Sequence, residues 1–180
     1  NGQPIDMTMG FTPISGIMMS TRTGDLEPGV LTYLQQEKDY DTTALTELVS
    51  KQSGLLGVSG LSADMHTLLQ AQAENPDAAL AIELFCYKLT KQIGAFAAAL
   101  GGVDSVIFSG GIGERSAEIR ARICQTLSFL GIIVDEQRNN ANERLISADT
   151  SGVGVHIIPA KEDASIVRQT AAVLQERASA

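Results

Sequence analysis

The stretch VIFSGGIGERSAEIR, residues 106–120, decides the fold class. Its apolar start contains β-branched residues, which is typical of a buried strand, and its charged end has the pattern of a helix. Between them lie Gly110, Gly111 and Gly113, without a G-x-G-x-x-G fingerprint or a P-loop lysine. A turn without a ligand needs only one or two glycines. Three therefore favour close approach of a ligand to the backbone, and the alternative is a plain strand-to-helix connection.

Strand and helix patterns alternate through the second half of the chain. Residues 105–109 are a predicted strand, residues 132–135 are a second strand candidate and residues 154–160 a third. A helix is predicted over residues 114–131, and a closing helix over residues 162–177. This alternation indicates an α/β protein with a small, partly parallel sheet.

The first half is predicted to be helical after an irregular start. Residues 10–28 are rich in Gly, Pro, Thr and Ser and are predicted to form a loop. Helices are predicted from Gly29, over residues 42–54, after an N-cap at Ser62, and over residues 76–100. The last of these is the longest, and its expected buried face consists of Leu80, Leu84, Tyr87 and Leu89.

Composition excludes several classes of function. The chain has 180 residues, of which 44% are hydrophobic and 19% charged, as in a soluble globular domain. Its formal net charge of −8 argues against a general nucleic-acid binder, although a small anionic substrate fits a local cationic pocket. No apolar run approaches the roughly 20 residues of a membrane span, and no signal peptide opens the chain, so a cytoplasmic protein is expected. Cys86 and Cys124 lie in helical apolar patterns and are expected to be buried, reduced thiols.

Arg22 is a candidate ligand for an anionic group. It lies in the segment TRTGDLEP among hydroxyls and backbone amides, and its guanidinium offers a planar fork of donors that stays charged. The alternative is a solvated loop arginine that forms an ion pair with Asp25 or Glu27.

A second candidate site follows the last predicted strand, in IIPAKEDASI. Lys161, Glu162 and Asp163 lie at the carboxyl end of that strand, where open α/β sheets bind ligands. A carboxylate there can hold Mg²⁺, and the alternative is an acidic first helical turn. His66, beside Asp64, has no partner at metal-ligand spacing, which favours a surface or pocket residue over a catalytic one.

Three segments together resemble one family. DMTMGFTPISGIMMSTRTGDLEPGVLTYL, FSGGIGERSAEIR and IIPAKEDASI are similar, in order and spacing, to the C-terminal half of acetate kinases and their propionate and butyrate kinase relatives. The resemblance implies a ribonuclease-H-like α/β fold of the actin, Hsp70 and sugar kinase superfamily, as a C-terminal domain with a helical insertion. It also implies reversible phosphoryl transfer between ATP and a short carboxylate, acetate first, giving acyl phosphate and ADP.

The resemblance assigns roles to particular residues. Arg22 matches the family arginine that holds the carboxylate or the transferred phosphoryl group, and Glu162 matches a glutamate associated with Mg²⁺. The residues matched to nucleotide binding are Asp64, Met65, His66, Gly110, Gly111, Ile112, Gly113, Glu114 and Arg115. Three positions depart from the common family residues: His66 replaces an arginine, and Arg115 and Lys161 replace asparagines. These departures bear on the nucleotide contacts.

The resemblance also predicts the domain organisation. Residues 1–180 are expected to form one C-terminal nucleotide-binding domain of a two-domain kinase that forms homodimers through this domain. The helix at residues 76–100 is a candidate contributor to the dimer, and the alternative is an internal core helix. The chain opens on the turn pair Asn1-Gly2 without an initiator Met, so we expect a part of a longer protein. Without the N-terminal half it should have negligible kinase activity, because transfer needs a closed cleft. The alternative is a non-catalytic nucleotide-binding or dimerisation module.

Overall fold

The computed structural model describes residues 2–178, apart from six side chains in the last helix. Those side chains belong to Glu162, Ser165, Ala172, Glu176, Arg177 and Ala178. The elements of the described chain, in order, are α1 (Pro28–Glu37), α2 (Thr42–Lys51), α3 (Gly54–Ser59), α4 (Met65–Ala71), α5 (Pro76–Leu100), β1 (Ser105–Phe108), α6 (Gly110–Arg115), α7 (Ala117–Thr126), a 3₁₀ turn (Ser128–Leu130), α8 (Glu136–Asn140), β2 (Gly154–Ile157) and α9 (Glu162–Ala178). None of the described helices is long and apolar enough to cross a membrane.

The two strands pair in parallel, as predicted, with Val106 opposite Val155 and Phe108 opposite Ile157. These four side chains are buried, whereas Ile107 on the other face of β1 is 57% exposed. The strand is therefore buried on one face only in the described structure, and not on both as its continuous apolar run suggested.

The predicted strand at residues 132–135 is wrong. Only an isolated antiparallel bridge, between Val134 and Ser147, forms there in the described chain. Asp135 is the N-cap of α8, and its carboxylate accepts the Arg138 N–H at 2.9 Å. A helix that begins immediately after Asp135 leaves no room for a strand to continue.

Helix α5 buries only part of the predicted face, since Leu84 and Leu89 are partly buried against the core. Leu80 and Tyr87 are 52% and 56% exposed. The buried residues recur at the spacing of one helix face: Ala78, Ala81, Ile82, Phe85, Cys86 and Ala97. The small alanines on this face let α3 and α4 pack closely against α5, which a face of large side chains would prevent.

The predicted helix over residues 114–131 is divided. Ser116 leaves helical geometry, with φ −106° and ψ 94°, and its hydroxyl accepts the Ile119 N–H as the N-cap of α7. The region ends in a 3₁₀ turn and at Gly131, whose φ of 84° suits glycine. A similar correction applies upstream, where the N-cap of α4 is Asp64 and not Ser62.

The loop predicted before α1 is confirmed, and its segment Met19–Thr23, here called the Arg22 loop, is bonded to α2 and α3. The Ser53, Leu55 and Leu56 N–H groups donate to carbonyls of this loop at 2.9–3.0 Å. Gly54 has φ 62°, and a Cβ there would lie 2.1 Å from the Met19 carbonyl oxygen. Only glycine fits where α3 begins.

Candidate functional site

One cavity collects most of the predicted nucleotide residues. It has a volume of about 650 Å³ and lies between α4 and α6. From α4 and its N-cap come Asp64, Met65 and His66, and from α6 come Gly111, Ile112 and Arg115. We call it the α4–α6 cavity. Segments that are far apart in the sequence therefore line one concave surface of a size suited to a small molecule.

Asp64 lies at the rim of the α4–α6 cavity and starts α4. Its carboxylate oxygen Oδ2 accepts the Thr67 hydroxyl at 2.8 Å and the Thr67 N–H at 3.0 Å. These two hydrogen bonds lower the pKa of the exposed Asp64 carboxyl below its ordinary value, so it is ionised at neutral pH. The exposed ring of His66 is held 3.0 Å from the Gln70 side-chain nitrogen.

The three glycines after β1 form a helical turn and not an open loop. Gly110 has φ 75°, a conformation that favours glycine. A Cβ at Gly111 would meet nothing within 4 Å, so this backbone faces the open cavity, whereas one at Gly113 would pack 3.4 Å from Phe108. Gly113 thus packs against β1, whereas a Cβ at Gly110 also meets nothing within 4 Å, so Gly110 and Gly111 both leave the open space expected for a ligand.

Glu114 connects the ends of the two strands. Its oxygen Oε1 accepts the Gly110 N–H and the Ala160 N–H, both at 2.8 Å. Gly110 follows β1 and Ala160 follows β2, so one carboxylate oxygen holds both connections. This structural role was not predicted for Glu114, whose predicted contact to nucleotide stays a prediction.

A smaller cavity of about 360 Å³ lies at these strand ends, and we call it the strand-end cavity. Its lining includes Arg115, Lys161 and Asp163. The side chain of Glu162, the predicted Mg²⁺ ligand, is outside the described part of the structure. Among the described side chains there is no group of three or more His, Cys, Asp or Glu residues that could hold a metal.

Arg22 does not line either cavity, although Ser20, two residues earlier, lines the α4–α6 cavity. The Arg22 guanidinium donates to the Pro13 carbonyl at 3.2 Å and lies 4.0 Å from the Met19 sulfur. The alternative ion pairs do not form within the described residues. Instead, the Asp25 carboxylate accepts the Gly16 N–H at 2.8 Å and the Glu27 carboxylate accepts the Gly29 N–H at 2.9 Å. The Arg22 charge therefore has no paired carboxylate in the described structure.

Arg120 is the residue beneath the site that the sequence reasoning missed. Its side chain is fully buried, and its guanidinium makes five hydrogen bonds of 2.7–3.0 Å. Two of these reach the Gly113 and Glu114 carbonyls at the end of α6, and the others reach Asn139 and Asn142. Burial lowers the Arg120 pKa from its ordinary value. The signal in the sequence is an arginine at helical spacing from Ile123 and Cys124, both buried.

Another cavity, of about 710 Å³ between α7 and α8, contains none of the predicted site residues. Cys124 lines it, and both cysteines are buried free thiols, as predicted. Burial raises the pKa of Cys124 to about 12, so this thiol is not a nucleophile at neutral pH.

Comparison with known proteins decides the family. The model of the Acetokinase family matches residues 1–168. The chain belongs to this family. One relative, the acetate kinase of Clostridium botulinum strain Alaska E43, is 43% identical to this chain over 178 residues. That alignment covers 96% of this chain and 45% of the relative. The propionate kinase of Citrobacter rodentium is 46% identical over 168 residues, covering 93% of this chain and 42% of the relative.

Solved acetokinase structures agree with the predicted fold. The Porphyromonas gingivalis acetate kinase matches with a TM-score of 0.86 and 38% identity, covering 93% of this chain and 43% of that one. A Francisella tularensis propionate kinase matches with a TM-score of 0.81 and 35% identity, covering 86% and 40%. The predicted ribonuclease-H-like α/β fold of the actin, Hsp70 and sugar kinase superfamily is therefore confirmed. The chain spans less than half the length of these acetokinases.

Proposed function

We propose that this chain is the nucleotide-binding, C-terminal domain of a two-domain kinase. The complete enzyme would transfer a phosphoryl group reversibly between ATP and a short-chain carboxylate, and acetate is the substrate we expect. The α4–α6 cavity is the observation that carries the proposal, because it unites Asp64, Met65 and His66 with Gly111, Ile112 and Arg115. Membership of the Acetokinase family supports the reaction class.

The α4–α6 cavity would hold the nucleoside. Met65 and Ile112 supply apolar surface, while the ionised Asp64 and the ring of His66 supply polar groups at the rim. Apolar side chains combined with convergent polar groups on one concave surface are typical of small-molecule sites. Gly111 leaves open space where a larger residue would occupy the cavity.

Arg22 would stabilise the negative charge that the transferred phosphoryl group spreads over its oxygens. Its lack of a carboxylate partner among the described residues supports this role, because a paired guanidinium would first have to break its ion pair. The backbone bonds to α2 and α3 fix the Arg22 loop, and therefore limit the reorganisation needed when the substrate arrives.

Mg²⁺ bound with phosphates needs only one or two protein carboxylates, since it keeps several waters. Asp163, which follows Glu162 in the sequence, lines the strand-end cavity and offers a carboxylate of the kind that binds such an ion. The ion would neutralise part of the phosphate charge. Glu162 is the proposed ligand, and Asp163 is its neighbour on the cavity wall.

Residues 1–180 would act together with a second domain that completes the cleft, and alone would have negligible activity. The length of the relatives supports this, since the matched part is about 45% of the Clostridium botulinum acetate kinase. We also propose a cytoplasmic homodimer. The outer face of α5 supports the homodimer, since Leu80 and Tyr87 are both more than half exposed there.

Nucleotide binding by the intact protein tests the proposal. Gly111→Trp should fill the α4–α6 cavity and weaken MgADP binding at least tenfold in calorimetric titration. Gly94→Trp is the matched control, because a Cβ there also meets nothing within 4 Å, and it should keep the affinity within twofold. An unchanged MgADP affinity in Gly111→Trp would show that the nucleotide does not bind in this cavity.

Turnover separates the kinase from the non-catalytic module. Acyl phosphate formed from ATP and acetate can be trapped with hydroxylamine and measured. Arg22→Ala should lower turnover by roughly 10³-fold with unchanged nucleotide affinity, and Arg22→Lys should restore only part of it because the planar fork is lost. Nucleotide binding without any acyl phosphate from the unaltered two-domain protein would favour the binding module.

A further inference from the structure

The strand-end cavity contains two cations from different segments. Arg115 ends α6, after β1, and Lys161 lies between β2 and α9. Neither side chain forms a hydrogen bond or ion pair with a described residue. Two positive charges thus face one cavity of about 360 Å³ without a described counter-charge in contact.

Their backbone positions are fixed by the residues beside them. Glu114 precedes Arg115, Ala160 precedes Lys161, and the Glu114 oxygen Oε1 accepts the Ala160 N–H at 2.8 Å. Arg120 holds the same turn from below through the Gly113 and Glu114 carbonyls. The distance between the two segments that carry the cations is therefore set by a hydrogen-bond network and not by the cations themselves.

The strand-end cavity adjoins the α4–α6 cavity. Gly111 and Arg115 line both, so the two parts of an extended ligand would lie on either side of these residues. The α4–α6 cavity has the apolar surface for a nucleoside, and the strand-end cavity has the cations for its phosphates. Guanidinium binds phosphate through paired donors, whereas ammonium acts as a point charge.

We propose that Arg115 and Lys161 form a two-cation site for the phosphate chain of a nucleotide whose nucleoside lies in the α4–α6 cavity. This inference rests on the proposed function. Glu114 and Asp163 are the acidic residues of the lining, so the site suits a phosphate chain that carries a divalent cation better than a bare anion. Glu114 is the positioning residue that keeps the two cations on one cavity.

Calorimetric titration of the intact protein with adenosine, AMP and MgADP tests the two-cation site. Arg115→Gln and Lys161→Gln should each weaken MgADP binding about tenfold, and together more than thirtyfold, while adenosine affinity changes less than twofold. Lys51→Gln is the charge-matched control, since Lys51 is exposed, paired with Glu47 and outside both cavities. It should leave all three affinities unchanged.

The outcomes separate the two proposals. Equal losses for adenosine and MgADP in the glutamine variants would overturn the two-cation site and leave the nucleoside cavity intact. No binding of adenosine or MgADP by the unaltered protein would overturn the proposed function itself. A third outcome is that adenosine fails to bind while pyrophosphate binds and its affinity depends on Arg115 and Lys161. The ligand would then be a free phosphate compound and not a nucleotide, which would overturn this inference.

The positioning role of Glu114 has its own test. Glu114→Ala removes the acceptor of the Gly110 and Ala160 N–H groups but leaves both cations in place. It should weaken MgADP binding five- to tenfold with little effect on adenosine. Glu114→Gln keeps one carbonyl oxygen and should recover part of the loss. An alanine variant that weakens adenosine and MgADP equally would show a general structural role.

Discussion

The Arg22 loop and helix α6 both carry predicted site residues, yet they are held by different kinds of bond. The Arg22 loop is fixed by backbone hydrogen bonds, with a carbonyl acceptor in α2 and N–H donors at the start of α3, while the Arg22 side chain contributes one hydrogen bond of 3.2 Å and one contact to sulfur. Helix α6 is fixed by two side chains, those of Glu114 and Arg120.

This difference predicts which substitutions each segment tolerates. Backbone bonds persist when side chains change, so the Arg22 loop depends on positions where a side chain cannot fit, above all Gly54. Helix α6 depends on the identity of Arg120, because no backbone group can replace five donors. The Arg22 guanidinium makes few bonds within the chain and so can bind a ligand. The buried guanidinium of Arg120 uses all five of its N–H donors within the chain.

Removal of Arg120 should have the largest effect on stability. Arg120→Met fills similar space but leaves buried carbonyl oxygens of Gly113, Glu114 and Asn139 without donors, each at a cost of about 1–3 kcal/mol. We expect the free energy of unfolding to fall by about 3–5 kcal/mol, measured by urea denaturation with an unchanged slope.

Arg122→Met is the matched control on the same helix. Arg122 is partly exposed, with an ion pair to Glu118, and its loss should cost less than about 1 kcal/mol. If Arg120→Met cost no more than this control, water would be satisfying the carbonyls and α6 would not depend on the buried arginine.

Gly54→Ala should have the next largest effect, acting on the Arg22 loop. The methyl group would lie 2.1 Å from the Met19 carbonyl oxygen and 2.8 Å from that of Arg22, at a φ of 62°. Left-handed geometry costs alanine roughly 1–2 kcal/mol and overpacking typically adds 1–3 kcal/mol, so we expect a loss of about 2–4 kcal/mol. Urea denaturation measures it.

Gly94→Ala supplies a control of opposite sign. Gly94 lies inside α5, and a Cβ there meets nothing within 4 Å. Alanine should therefore raise stability by roughly 0.5–1 kcal/mol through helix propensity. A neutral Gly54→Ala variant would mean that the Arg22 loop moves away from α3 at little cost.

The sequence predicted the features that depend on local pattern. The parallel pairing of β1 and β2, the irregular start, helix α5 and the buried thiols all follow from periodicity and turn residues, and all are confirmed. The gathering of Asp64, Met65 and His66 beside α6 came from the family resemblance, since no local pattern links residues so far apart.

The errors came from tertiary packing. The buried face of α5 carries Ile82, Phe85 and Cys86 beside three alanines, and the predicted face, which included Leu80 and Tyr87, is only partly the same. Arg120 was overlooked because an arginine is normally solvated, and its partners, Asn139 and Asn142, lie on or just after another helix. Ser116 and Asp135 each cap the start of a helix. These caps interrupt the predicted helix over residues 114–131 and end the predicted strand over residues 132–135.

The smallest expected effect is a pH dependence of the free energy of unfolding that comes from Cys124 in α7. Cys124 lies one turn beyond Arg120, and burial raises its pKa to about 12, well above the ordinary value of 9.0. Above pH 9 the unfolded chain loses this proton while the folded chain keeps it, so stability falls as pH rises toward 12. At pH 10 the loss from Cys124 should be about 1.4 kcal/mol relative to pH 8.

Cys124→Ala isolates this contribution. Alanine lowers stability at every pH by leaving a small cavity, but it removes the part of the alkaline slope that Cys124 causes. Cys86, whose pKa is also raised by burial, remains in both proteins and its contribution cancels in the comparison. Urea denaturation at pH 8 and pH 10 should give a smaller difference for the variant than for the unaltered chain. Equal differences would show that the Cys124 thiol ionises as readily in the folded as in the unfolded chain, and that α7 is open to hydroxide despite its buried face.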